Sequence, residues 1–133
     1  MITLNDYITA SGKYPERLKS SELTDEVKKN AQKLLDKVNA LLKDLNLKDI
    51  KVSSGFRPSA VNANIKGAAK KSNHLSGNAL DLLDPKNKLD EIFMNNLKLL
   101  EKHGLYLEHP SKTNTWSHLQ QVPPASGNRV FMP

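Results

Sequence analysis

The clearest periodicity in the chain runs through Val27, Ala31, Leu34, Leu35, Val38, Leu41, Leu42 and Leu45, apolar positions separated by steps of three and four. That spacing puts them on one stripe of a long amphipathic helix. Thr24 stands as its N-cap, and Asp25 and Glu26 in the first turn suit the positive end of the helix dipole. Lys28, Lys29, Lys33, Lys37 and Lys43 fall on the other side, as a solvated face or a wall-binding patch. A second stripe, Leu89, Ile92, Phe93, Leu97 and Leu100, predicts a helix over Lys88–His103 that Gly104 ends, with His103 complementing the dipole in its last turn.

Strand signals are shorter. Ile50, Val52 and Ser54 alternate ahead of a Gly55-Phe56-Arg57-Pro58 turn, and Ala79–Leu83 reads as a buried strand. Leu105–Glu108 and Thr115–Val122 predict a hairpin closed by the six residues His109–Asn114. Residues 59–71 read as a short helix and a basic loop around Gly67; residues 1–21 read as an irregular arm with one turn of helix and 123–133 as an extended or loosely docked tail. The order α, β, α, β, α, β, β predicts an α+β fold, a small, mainly antiparallel sheet packed on two main helices. With no repeat or linker in view, 133 residues make one domain, 1–133.

Composition narrows the class. At 38% hydrophobic and 26% charged residues the chain is that of a water-soluble globular protein, and no apolar run is long enough to span a bilayer. No membrane partner is expected. The absence of cysteine removes disulfides and thiolate metal ligands together. A net charge of +6 and a pI near 9.5 favour an anionic partner, either nucleic acid or a wall rich in carboxylate and phosphate. Aromatic residues are only 5% and are not interleaved with the lysines, which argues against nucleic acid. Outside the two core-facing stripes nothing calls for a subunit partner, so a monomer is expected.

The chemistry gathers in Ser72-Asn73-His74-Leu75-Ser76-Gly77-Asn78-Ala79-Leu80-Asp81, where an imidazole and a carboxylate stand seven residues apart. Both are metal-ligand types. A second imidazole, His118, follows in Trp116-Ser117-His118, so closing the two stretches together would give a His74, Asp81, His118 site. Three protein ligands leave zinc, Zn2+, a fourth position for water, which is its catalytic arrangement. Gly77 and Ala79 are small where bulk would block close approach, and Asp81 would project from a rigid strand.

Ser54-Gly55-Phe56-Arg57-Pro58, Val61-Asn62, Gly67-Ala68, Ser72-x-His74-x-x-Gly77-x-Ala79-x-Asp81 and Trp116-x-His118 together resemble the D-alanyl-D-alanine carboxypeptidase and phage-endolysin family of zinc peptidases, with its Hedgehog-like fold. The resemblance runs from about Leu4 to Gln120. It implies a bacterial peptidoglycan substrate and an arginine, here Arg57, that contacts the substrate peptide; a guanidinium is suited to gripping a carboxylate. Arg57 simply paired with a surface acid is the other reading.

The chain departs from that family where its catalytic acid commonly lies, three residues before the last histidine, because Thr115 stands there. Thr115 has no useful pKa. Symmetric pairing across the hairpin would put Glu108 opposite Thr115, so Glu108 is the candidate base; a one-residue slip would turn it to the other face. Trp116 alternates with His118 and either shapes the pocket floor or packs in the core. Ser72 would order the loop or orient a ligand, and His109 is a rim residue or an exposed loop histidine.

The leading expectation is therefore a zinc peptidase that cuts peptidoglycan stem or cross-link peptides, of the phage lysis or particle-associated kind. Its opening Met1–Asp6 lacks the basic start and apolar run of a secretory signal. Synthesis in the cytoplasm and delivery to the wall by another route are expected. The alternative is a non-catalytic, zinc-stabilised binding or structural domain in which metal binding survives as folding energy. A nucleic-acid-binding domain with coincidental histidines would instead show steeply salt-dependent binding and no metal requirement.

Overall fold

The structure is a computed structural model in which residues 1–68 and 71–133 are described. Its longest helix, α2 (Asp25–Asp44), follows the predicted stripe: Ala31, Leu34, Leu35, Val38, Leu41 and Leu42 are buried, and the Thr24 side chain accepts from the Val27 amide. A Schellman arrangement ends it. Asn46 takes the left-handed conformation at φ 54°, while the Asn46 and Leu47 amides return to the carbonyls of Lys43 and Leu42.

Five strands, β1 (Val52–Ser54), β2 (Ala79–Leu83), β3 (Tyr106–Glu108), β4 (Trp116–Gln120) and β5 (Val130–Phe131), form one sheet in the order β1-β2-β4-β3-β5. The fold is α+β as the element order predicts. The sheet is mixed, because β5 pairs in parallel with β3 while the other neighbours are antiparallel. Alternation along β2 divides its faces. Leu80 and Leu82 join α2 in the core, and Asp81 points to the opposite face.

Three expectations change. The arm is more ordered than expected: its helical turn is α1 (Leu4–Thr9), started by a Thr3–Asp6 capping box, and Pro15–Lys19 forms a 3-10 turn. Tyr7 explains the docking, since its ring is fully buried and its hydroxyl donates to the Ala79 carbonyl at 2.8 Å. The helix expected over 88–103 breaks into α4 (Lys88–Met94) and α5 (Leu97–Lys102) at Asn95 and Asn96. Asn96 turns its amide back onto the Ile92 carbonyl at 2.8 Å, the local competition that makes asparagine a poor interior helix residue. The tail is docked as β5, with Arg129 stacked 4.3 Å over Tyr106 and donating to the Leu105 carbonyl.

α3 (Ser59–Ala63) is the expected short helix, and the basic loop after it includes Ala69 and Lys70, which lie outside the described residues. Among the described residues no helix is long and apolar enough to cross a membrane.

Gly55 is where the arm meets the sheet. A Cβ added there would collide with the backbone carbonyl of Tyr7, which cannot move without lifting α1. Gly55→Ala is expected to cost about 2–3 kcal/mol, the upper part of the range for overpacking. A urea unfolding midpoint unchanged from wild type would show that the arm is not held this closely.

Candidate metal centre

Asp81 and His118 are direct register partners on β2 and β4, two inner strands of the sheet. Cross-strand partners stand close by construction, so their side chains meet without help from a loop. His118 Nδ1 lies 2.8 Å from Asp81 Oδ1. His74 arrives from the loop before β2, and its Nε2 lies 3.3 Å from Asp81 Oδ2.

That loop is tied at several points. The Ser72 hydroxyl accepts from the His74 amide, and the Asn30 side chain on α2 donates to the Ser76 carbonyl. Gly77, at φ 79°, passes so close to α2 that a Cβ would come within 2.5 Å of the Val27 carbonyl oxygen. A register irregularity in β1 between Val52 and Ser54 precedes Gly55, whose carbonyl takes the His74 Nδ1 hydrogen at 2.8 Å.

His74, Asp81 and His118 are all buried, and one donor atom from each lies within 4.8 Å of the others. Bonds of 2.0–2.1 Å in a tetrahedron put ligand atoms about 3.3 Å apart, so the set needs only a small contraction to hold zinc. Two imidazoles and a carboxylate are hard-to-borderline donors appropriate to that ion. The donor set fits.

Residues 12–120 match the sequence profile of the family Peptidase M15. The chain belongs to that family. Peptidase M15 proteins are zinc-dependent metallopeptidases, and the His74, Asp81, His118 group is what this member offers a metal. No curated protein and no solved structure matched the chain.

The other sequence candidates take definite places in this M15 site. Arg57 is buried; its Nη2 lies 3.8 Å from Asp81 Oδ2 and its Nη1 donates to Asn62 Oδ1 at 2.9 Å. Glu108 Oε1 lies 3.9 Å from His118 Nδ1. The hairpin argument that pointed to Glu108 had the wrong register. Tyr106 pairs with Gln120 and Leu107 with Leu119, so one step further Glu108 faces His118, not Thr115. The loop between the strands holds a 3-10 turn, Pro110–Lys112, that takes up the difference.

Thr115 is exposed at φ 78°, a conformation a β-branched residue rarely adopts, and its amide donates to Asn87 Oδ1. Trp116 is half-buried and pairs with Leu83, which is 47% exposed, so it belongs to the rim of the site face and not the core. His109 caps the 3-10 turn through Ser111, and His103 binds Asp44 at 2.7 Å across the α2 and α5 ends.

Sequence reasoning missed Gly55, Gln120 and Phe131. Gln120 was within reach, since it shares the Trp116 and His118 alternation. Phe131, 6.1 Å edge-on from His118, comes from a tail with no local signal.

The electrostatics follow from Asp81. Burial opposes its ionisation, but the charge of His74 and hydrogen bonds from His118 and His74 outweigh that and hold the carboxyl well below its usual range. Burial likewise opposes the His118 imidazolium, yet the hydrogen bond and charge of Asp81 push its pKa up. Burial, with the Asp81 charge, raises Glu108 despite the opposing pull of His118.

The signs of the shifts set a pH dependence for the metal-free protein. The depressed Asp81 contributes stability that is complete above about pH 4 and is lost as pH falls through its folded pKa. The raised His118 contributes stability that is complete below about pH 6.5 and is lost as pH rises through its folded pKa. Metal-free protein should therefore unfold at the highest urea concentration between about pH 4 and 6.5, and His118→Ala should flatten the alkaline side. An alkaline side unchanged in His118→Ala would refute the assignment.

Proposed function

We propose that this M15 domain is a zinc peptidase that hydrolyses a peptide bond in the stem or cross-link peptides of bacterial peptidoglycan, working in phage lysis or as a particle-associated enzyme. The observation that carries the reading is the buried His74, Asp81, His118 donor set with the Glu108 carboxylate beside it. The chemistry that zinc supplies in a three-ligand site is acidification of a water and polarisation of a carbonyl.

Each nearby residue has a part in this scheme. Glu108 is the base that takes the water's proton and returns it to the leaving amine, and a carboxyl raised by burial lies nearer the working pH than an exposed one. Arg57 gives the peptide a cationic contact beside Asp81, where burial makes the guanidinium count for more than it would at the surface. The wall substrate is supported by the +6 net charge and pI near 9.5, suited to an anionic polymer, and by family membership.

The test is release of new amino groups from purified peptidoglycan by zinc-loaded protein. Wild type should release them and His74→Ala should not. Glu108→Gln should keep its zinc and lose about 10²–10⁴-fold in rate, the usual contribution of a general base. No release from several chemically different walls by protein that holds one zinc would favour the zinc-stabilised binding domain. Full activity in Glu108→Gln would remove Glu108 from the mechanism.

A further inference from the structure

β4 is flanked by β2 and β3, so its backbone carbonyls are spent in the ladders on both sides. His118 therefore cannot direct its second ring nitrogen to a neighbouring carbonyl of its own strand, as a loop residue can. The next side chain on its face is two residues along. That residue is Gln120, 5% exposed, with Oε1 at 2.9 Å from His118 Nε2.

Chemistry decides which way this amide points. Gln120 Nε2 lies 2.7 Å from the Val122 carbonyl oxygen, and a carbonyl only accepts, so the NH2 group must face it. The amide oxygen is left facing His118, and it too only accepts. His118 Nε2 must then carry hydrogen. Nε2 is thereby committed to Gln120, and the nitrogen turned toward the His74 and Asp81 donors is Nδ1, 2.8 Å from Asp81. His74 runs the other way: the Gly55 carbonyl holds its Nδ1 hydrogen and leaves Nε2 toward Asp81.

We propose that Gln120 is a positioning residue that fixes His118 as an Nδ1 ligand, with the Val122 carbonyl in turn fixing Gln120. The two histidines would then bind zinc through different nitrogens, each set by its own acceptor. Outer partners of this kind typically contribute about 10–100-fold in metal affinity. The inference rests on the metal-centre reading, and its test separates the two.

Ring nitrogen-15 shifts would be recorded on zinc-loaded protein, and zinc affinity measured by competition with a chelator, for wild type, Gln120→Leu and Gln120→Glu. In wild type His118 should ligate through Nδ1 with Nε2 protonated. Gln120→Leu should bind zinc about 10–100-fold more weakly. Gln120→Glu should lose less affinity than Gln120→Leu, because a carboxylate oxygen still accepts the His118 hydrogen although the NH2 that donates to Val122 is gone. Zinc held through His118 Nε2 in wild type would overturn the proposal, as would unchanged affinity in Gln120→Leu. Should that variant fail to fold, a Gln120→Glu protein as weak as a metal-site knockout would overturn it equally. Protein that takes up no zinc would defeat the metal centre, and this proposal with it.

Discussion

The structure depends on keeping one carboxylate ionised out of water. Asp81 is 8% exposed, and an isolated buried carboxylate costs several kcal/mol even after relaxation. Here His74, His118 and Arg57 converge on its two oxygens. Each comes from a different part of the chain, so satisfying Asp81 requires the β2–β4 pairing, the loop before β2 and the turn after β1 at once. Loss of any one partner leaves the buried charge less fully compensated, and that coupling makes the site a constraint on the fold as well as its product.

The sheet shares out the work by face. Leu80, Leu107 and Leu119 fill the core side, while Asp81, Glu108 and His118 project from the neighbouring positions on the other face. Half of the site is therefore rigid, because inner strands cannot shift register without turning every core leucine outward. The other half, His74 and Arg57, sits on loops and needs anchors. Those anchors reach back to the helical layer: Asn30 holds Ser76, Gln121 bridges the Asn30 carbonyl and Asn78, and Arg17 donates to the Phe56 carbonyl from the N-terminal 3-10 turn. The arm is thus part of what holds His74 and Arg57 in place.

What was legible in the sequence was whatever local spacing encodes. The α2 stripe is periodic over twenty residues, its Thr24 cap is a local hydrogen bond, and β2 is a compact apolar run around one aspartate. The ligand set was legible as residue types, and its closure was an inference from resemblance. Long-range contacts were not legible. Tyr7 reaches Ala79 across 72 positions, and Val130–Phe131 becomes a strand only because β3 offers it an edge. The break at Asn95–Asn96 was readable in principle, but an apolar stripe that continues across two short helices hides it.

Glu108 reaches the site by a register other than the one the hairpin argument assumed. The symmetric hairpin placed it opposite Thr115, and the observed pairing moves that partner by three residues to His118. An odd shift changes which face a paired residue shares, so the hairpin argument should have failed by its own logic. Glu108 nonetheless lies beside His118, and Thr115 is not in the strand: β4 begins at Trp116, and Thr115 sits in a left-handed turn. The position from which this family commonly supplies its acid is unsuited to that task in this chain. The carboxylate that the structure does place beside His118 comes from the next strand on the same face: Glu108 Oε1 lies 3.9 Å from His118 Nδ1.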